Sequence, residues 1–192
     1  IVPTINATST ATIDTAIVNA LTGSRIKAVP GYSSAERKLA LLSGEANAAI
    51  GSIATYSDLV DQGFMVPVLR LNDAGPDGPY PEQPLLGSVA SGADAAVLVG
   101  LIGALARTQQ LVAAPPGLGA SQTEALTSLF DAAAARMPGL PGTSYQPFEV
   151  MALNRDQVIA QVANFLSAPG AGAALRHAIV CGQAIADGQA CG

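Results

Sequence analysis

Aromatic and charged side chains are both scarce in this sequence of 192 residues. Tyr and Phe make up 4% of the chain, Trp is absent, and charged residues account for 12%. With so few aromatic rings, stacking on sugars or nucleobases is not an expected mode of binding. The hydrophobic fraction of 49% is far above that of a disordered segment. We therefore expect a folded globular protein whose length suits one domain.

Positive charge is also in deficit, with 9 Lys and Arg against 14 Asp and Glu and a net charge of -5. The basic residues stand singly along the chain, apart from the pair Arg37 and Lys38. Nucleic acid binding needs clustered basic side chains that neutralise phosphates, and binding to anionic lipid needs a polybasic segment. The sequence therefore predicts neither nucleic acid nor an anionic membrane surface as a partner.

Long apolar runs are missing as well. A membrane-spanning helix needs about 20 consecutive apolar residues. The longest candidate, Ala95–Ala106, is closed by Asp94 and Arg107, and the uncharged stretch 157–175 is interrupted by polar residues and a proline. Both runs are therefore predicted to be buried helices.

Helical and strand patterns alternate through the first third of the chain. The predicted helices cover 11–21, 34–43 and 56–62, and the predicted strands cover 25–29, 47–53 and 64–71. Ser33 and Glu36 have the spacing of a capping box at a helix start. Strands separated by helices indicate crossover connections. The expected fold class is α/β, a parallel or mixed sheet with helices on both faces.

After a loop rich in Pro and Gly at 72–84, the patterns become mainly helical. Helices are predicted over 85–90, 94–107, 121–137 and from 154 to about 167, and a strand is predicted over 110–114. We accordingly divide the chain into an α/β lobe, residues 1–114, and a C-terminal helical segment with a Cys-containing tail, residues 115–192.

Residues that carry covalent or metal chemistry are few. The phosphate-binding loop, dinucleotide, nucleophile-elbow and zinc-protease motifs are absent. The single histidine, His177, stands four residues before Cys181, and zinc needs three or four ligands. We therefore expect no enzyme activity, no metal and no cofactor, with His177 solvated or capping a helix. A hydrolase that uses a serine with His177 is the weaker alternative.

Both cysteines, Cys181 and Cys191, fall within the last dozen residues. A disulfide that closes this short loop is the preferred interpretation, and two free thiols are the alternative. A disulfide would indicate an oxidising compartment.

Hydroxyl groups cluster where two helices are predicted to begin. Thr8, Ser9 and Thr10 precede the first helix, and Tyr32 and Ser33 lie between a strand and the next helix. Ligands of open α/β sheets collect at the carboxyl ends of the strands, and helix N-termini with hydroxyl donors bind carboxylates. These five residues are the predicted ligand-binding residues. The alternative is that their hydroxyls only cap their own helices.

The segment Ile26–Ser33 reads I-K-A-V-P-G-Y-S and is followed by Ala35-Glu36, Leu39-Ala40 and Ser43-Gly44-Glu45. Together with the A-A-P-P-G run of Ala113–Gly117, it resembles the second lobe of the substrate-binding receptors of tripartite tricarboxylate transporters. The resemblance implies a periplasmic binding protein of type II fold that holds a small carboxylate without catalysis and delivers it to a membrane transporter.

Two departures from that family pattern lead to a second interpretation. The family begins with a whole first lobe, which the 192 residues are too short to include, and Asn47 stands where the family has an aspartate. We therefore expect an extracytoplasmic solute-binding protein, or a fragment of one. The alternative is a degenerate binding-protein lobe that serves as a structural or interaction subunit of a larger periplasmic or membrane-associated complex.

Overall fold

The protein is a mixed α/β structure in a computed structural model that describes residues 1–73, 80–108, 115, 117–136, 160, 163, 164, 167 and 169–191. These residues form a two-stranded parallel sheet and seven helices. The elements in chain order are β1 (Val2–Thr4), α1 (Thr10–Thr22), β2 (Ala28–Pro30), α2 (Ser34–Leu42), α3 (Ile53–Asp61), α4 (Leu86–Val89), α5 (Ala95–Thr108), α6 (Ala120–Arg136) and α7 (Ala171–Ala186).

Two compact units divide the chain. The first contains residues 1–103 and 168–192, and the second contains residues 104–167. The C-terminal tail belongs to the first unit because α7 packs on α1. The division predicted from the sequence instead groups the tail with residues 115–167. That division, into an α/β lobe and a C-terminal helical segment, stays a prediction.

The sheet is formed by β1 and β2, which run parallel with Val2 opposite Ala28 and Thr4 opposite Pro30. Helix α1 makes the crossover between them, as a parallel pair requires. All three residues of β1 are buried. The carbonyl of Ile1 also accepts hydrogen bonds from the backbone N–H groups of Asn47 and Ala48, at 3.3 and 3.2 Å. The chain at Asn47 and Ala48 therefore lies beside the amino end of β1.

Helix α1 is the centre of the core. Nine of its 13 residues are buried, and its Ile17 side chain is fully buried. The buried amide of Asn19 connects the helix to the chain that enters β2, because Nδ2 donates to the carbonyl of Ile26 at 2.8 Å and Oδ1 accepts from its N–H at 3.0 Å. Such a buried amide is stable only because both of its ends are hydrogen-bonded. Helix α1 is thereby fixed against the sheet.

Helix α7 crosses α1 at very short range. The contact point is Gly182, where an added Cβ would overlap the backbone carbonyl of Ala16. Asn19 Nδ2 also donates to the carbonyl of Gly182 at 3.2 Å. A glycine is required here because any side chain would push the two helices apart. The structure therefore explains why a residue with poor helix propensity stands inside α7.

The α/β class is confirmed, but the larger predicted sheet is not present in the described residues. The predicted strands 47–53 and 64–71 are not strands, because each extended segment lacks a continuous hydrogen-bonding partner. Their only strand-like pairing among the described residues is the isolated parallel bridge between Arg70 and Leu85. Strand β1 was not predicted from the sequence, since its three residues include a proline and show no alternation.

The predicted helices agree with the described ones to within a few residues at each end. The predicted strand 110–114 lies outside the described residues, as does most of the predicted helix 154–167. In the ranges that the structure describes, no helix combines the length and the apolar character that crossing a bilayer demands. The most apolar helix, α5, instead buries Leu98, Leu101 and Ile102.

Candidate functional site

The two hydroxyl-rich helix starts lie side by side. The N–H of Gly31 donates to the carbonyl of Ile5 at 3.2 Å, and the N–H of Tyr32 donates to the carbonyl of Thr4 at 3.1 Å. These bonds continue the parallel pairing past the ends of β1 and β2. The start of α1 and the start of α2 therefore share one sheet edge, at the carboxyl ends of the strands, where ligands bind in α/β proteins.

A hydrogen-bonded network shapes the loop before α1. The hydroxyl of Thr12 donates to the carbonyl of Asn6 at 2.7 Å and lies 2.9 Å from the hydroxyl of Thr4, which is fully buried. The hydroxyl of Ser9 also donates to the carbonyl of Asn6, at 3.0 Å, and the side chain of Asn6 accepts from the N–H and the hydroxyl of Thr8 at 3.0 and 3.1 Å. The loop is thus held by its own side chains.

The N-terminus of α1 is nevertheless left open. Ser9 is its N-cap, but the Ser9 side chain makes no capping hydrogen bond, and the first turn contains no acidic residue. The N–H groups of Thr10 and Ala11 and the exposed hydroxyl of Thr10 have no hydrogen-bond partner in the part of the chain that the structure describes. Unpaired donors at the positive end of a helix dipole attract an anion.

The N-terminus of α2 is closed. The N–H of Ser33 donates to Glu36 Oε2 at 2.7 Å, and the N–H of Glu36 donates to Ser33 Oγ at 3.3 Å, which completes the predicted capping box. The hydrogen bonds from Ser33 hold the pKa of Glu36 below its usual value. The Ser33 hydroxyl therefore caps its own helix. Of the two roles that the sequence leaves open, ligand binding and helix capping, it has the second.

Tyr32 is also occupied locally. Its hydroxyl donates to Glu45 Oε1 at 2.5 Å, and this hydrogen bond to a carboxylate raises the pKa of Tyr32. An open groove of about 480 Å³ lies beside it, a volume suited to a small molecule. Its lining consists of Gly31, Tyr32, Glu36, Leu39, Ala40, Leu42, Ser43 and Glu45. Two carboxylates in this lining oppose the entry of an anion, so the groove is chemically unlike the start of α1.

Asp14 is a buried carboxyl group that is not among the predicted site residues. It lies one turn after Thr10 in α1, and burial raises its pKa to about 6. The pattern of α1 gives one signal for it, because Asp14 falls on the same helix face as the apolar residues Ile17 and Leu21. A charged residue within such a face is either paired or costly to the folded state.

Asn47, which the family resemblance singles out, lies at the other end of β1. Its side-chain oxygen accepts a hydrogen bond from the backbone nitrogen of Ile1, and its N–H donates to the carbonyl of Ile1. Asn47 therefore supports the amino end of the strand, whereas the predicted ligand-binding residues are at the carboxyl end.

The predicted disulfide between Cys181 and Cys191 is confirmed, with the two Cα atoms 5.0 Å apart. His177 is placed next to it. His177 Nε2 lies 3.8 Å from Cys191 Sγ, and His177 Nδ1 lies 3.6 Å from Asp94 Oδ2. No local pattern in the sequence links Asp94 to His177, because the two residues are 83 positions apart along the chain and only the fold brings them together.

Of the predicted ligand-binding residues, Thr8, Ser9 and Thr10 thus surround an open helix start, whereas Tyr32 and Ser33 belong to a closed one. Comparisons of the chain with family models, with curated proteins and with solved structures found no match.

Proposed function

We propose that this chain is a non-catalytic, extracytoplasmic solute-binding protein, or a lobe of one, that holds the carboxylate of a small ligand at the start of α1. The observation that carries the proposal is the open N-terminus of α1 at the carboxyl end of β1. Free N–H donors, a hydroxyl and the helix dipole converge there, and the first turn of α1 contains no acidic residue. This arrangement binds an anion without any Lys or Arg.

The expected affinity is modest. A carboxylate at a helix N-terminus gains about 0.3–1 kcal/mol from the dipole, and more in a partly buried position. Hydrogen bonds to a charged acceptor add about 1.5–3 kcal/mol each. Two or three such bonds, from the N–H groups of Thr10 and Ala11 and the hydroxyl of Thr10, support micromolar to millimolar binding after the entropic cost of association.

The proposed location and fold rest on two further supports. The disulfide Cys181–Cys191 is compatible with an oxidising, extracytoplasmic compartment. The resemblance of the segment around Tyr32 to the tricarboxylate-transporter receptors favours a lobe of a type II binding protein. In that role a membrane transporter is the protein partner.

The experiment is a calorimetric titration of the purified protein with succinate, citrate and benzoate. We expect heat with at least one of the three at millimolar concentration. Ser9→Asp places a carboxylate at the open helix start and is expected to weaken binding more than tenfold. Ser33→Asp is the matched control, because it adds the same charge at the N-cap of α2, and it should change affinity by less than threefold.

Two outcomes contradict the proposal. Absence of heat with every carboxylate at millimolar concentration excludes carboxylate binding by this chain. Equal weakening by Ser9→Asp and Ser33→Asp excludes the start of α1 as the specific position, because the effect would then reflect general charge repulsion.

A second candidate function is an interaction subunit of a larger assembly. It is supported by three exposed apolar side chains that alternate along the extended segment 64–68, namely Phe64, Val66 and Val68, which are 63%, 75% and 73% exposed. A row of this kind fits an apolar surface of a partner protein. Isolation of the native chain as a lone monomer, with no change in its association on Val66→Glu, would exclude this function.

A further inference from the structure

Helix α7 and the turn after it bring together three side chains of the types that bind metal ions. His177 and Cys181 are four residues apart on α7 and therefore share one face of the helix. The chain turns back after α7 through Gly188, whose φ is 79°, and the N–H of Gln189 donates to the carbonyl of Ala184 at 2.8 Å. This turn returns Cys191 to the same face. The imidazole and the two sulfur atoms lie within 4.8 Å of one another.

The spacing of these atoms is close to that of a zinc site. Tetrahedral zinc, with bonds of about 2.3 Å to sulfur and about 2.0–2.1 Å to nitrogen, holds its ligand atoms roughly 3.5–3.8 Å apart. His177 Nε2 and Cys191 Sγ are already 3.8 Å apart. The two sulfur atoms are closer than an ion requires, because they are bonded to each other. Breaking that bond and moving the exposed Cys191 outward would bring the two sulfur atoms to the separation that a zinc ion requires.

Asp94 supplies the outer partner that a metal-binding histidine usually has. Its Oδ2 lies 3.6 Å from His177 Nδ1, on the side of the ring away from the sulfur atoms. A carboxylate at this position favours the proton on Nδ1 and leaves Nε2 free to bind a metal. The His177 side chain is 58% exposed, so solvent has access to the remaining coordination position.

We propose that reduction of the Cys181–Cys191 disulfide creates a binding site for one Zn²⁺, with His177 Nε2 and both cysteine sulfurs as ligands and water as the fourth. A dithiol or phosphine reductant supplies two electrons, and two protons convert the disulfide into two thiols. Binding of Zn²⁺ then releases one proton from each thiol. Disulfide and metal are mutually exclusive, so the oxidation state of the protein controls the site.

The test uses Co²⁺ as a spectroscopic substitute for Zn²⁺. Whole protein reduced with a phosphine under anaerobic conditions is titrated with Co²⁺ and then with Zn²⁺. We expect a thiolate-to-cobalt charge-transfer band that saturates at one equivalent and is abolished by Zn²⁺. Oxidised protein should show no band.

Variants separate this site from a simple pair of thiols. His177→Asn removes a ligand and should weaken Co²⁺ binding at least tenfold. Asp94→Asn removes the outer partner and should weaken it about 10-fold to 100-fold. Asp187→Asn removes an equal charge from the exposed end of α7, and as the matched control it should change affinity less than twofold.

Three results would overturn the proposal. The first is absence of the band in reduced protein. The second is an unchanged affinity in His177→Asn and Asp94→Asn, which would mean that the thiols alone bind the ion. The third is a loss of helical circular dichroism on reduction that Zn²⁺ does not restore.

Discussion

The two helices that follow the paired strands, α1 and α2, are anchored in different ways. Helix α1 buries nine residues against the sheet, α4 and α7, whereas α2 buries only Ala40. At their N-termini it is α2 that is held more firmly, because α2 has a complete capping box and α1 has no side-chain cap.

This contrast links stability to function. A helix with little buried surface depends on its local hydrogen bonds, so α2 has to satisfy its own first N–H groups. Helix α1 is held by packing, and its open start adds little to its stability. The free donors of α1 are therefore available to a ligand at small cost to the fold.

The largest expected effect concerns the packing that holds α1. In Gly182→Ala, the added methyl group would meet the backbone of Ala16, and the helices would have to separate. We expect a loss of about 3 kcal/mol or more in the free energy of unfolding by chemical denaturation. Gly172→Ala, at an exposed position of the same helix, is the control and should gain about 0.5–1 kcal/mol. Equal gains in stability for Gly182→Ala and Gly172→Ala would show that α7 and α1 are not in close contact at Gly182.

The next effect concerns the amide that joins α1 to β2 and α7. Asn19→Ala leaves the partly buried N–H and carbonyl of Ile26 without their side-chain partners, and we expect a loss of about 2–3 kcal/mol. The control is Gln62→Ala, because Gln62 donates to the Asp58 carbonyl at 2.9 Å from an exposed position. The loss of unfolding free energy in Gln62→Ala should stay below about 0.5 kcal/mol. Similar losses for both would contradict the importance of the buried connection.

Asp14 gives α1 a stability that falls as the pH rises, the opposite direction to that expected for α2 from the lowered pKa of Glu36. Because burial raises its pKa from 3.8 to about 6, the folded state holds a proton that the unfolded state has released. Its stabilising contribution is complete below about pH 4 and is lost as the pH rises through 6. At pH 7.5, Asp14→Asn should stabilise the protein by about 1–2 kcal/mol, and it should flatten the stability profile between pH 4 and 6.

Asp58 serves as the control for that profile. It is exposed and accepts hydrogen bonds from Lys38 Nζ at 2.8 Å, which hold its pKa below the usual value. Asp58→Asn should give no stabilisation at pH 7.5 and should leave the slope between pH 4 and 6 in place. If stability no longer changed between pH 4 and 6 in Asp58→Asn, the pH dependence would not come from Asp14.

The smallest effects compare the two N-caps directly. Ser33→Ala removes an acceptor that caps Glu36 N–H and should cost about 1 kcal/mol. Ser9→Ala removes a hydroxyl that makes no capping bond and should cost only a few tenths of a kcal/mol. Thermal unfolding of both variants measures the difference. An equal loss for the two would mean that the start of α1 is capped in solution.

Local signals in the sequence were sufficient for some elements. The spacing of Ser33 and Glu36 predicted the capping box, and the short interval between Cys181 and Cys191 favoured the disulfide. Strand predictions over 47–53 and 64–71 were wrong because a strand depends on a distant partner, which hydrophobic alternation does not reveal. The same limit applied to β1, which is a strand only because β2 lies beside it.

By itself, the sequence determined the α/β class, most of the helices and the capping of α2, and it favoured the disulfide over two free thiols, because these follow from patterns within single elements or one short loop. Only the tertiary structure decided which helix start stays open, which glycine the core requires and which carboxylate meets His177. Those features depend on contacts between residues far apart in the chain, such as Ala16 with Gly182 and Asp94 with His177. No local sequence pattern predicts such a contact.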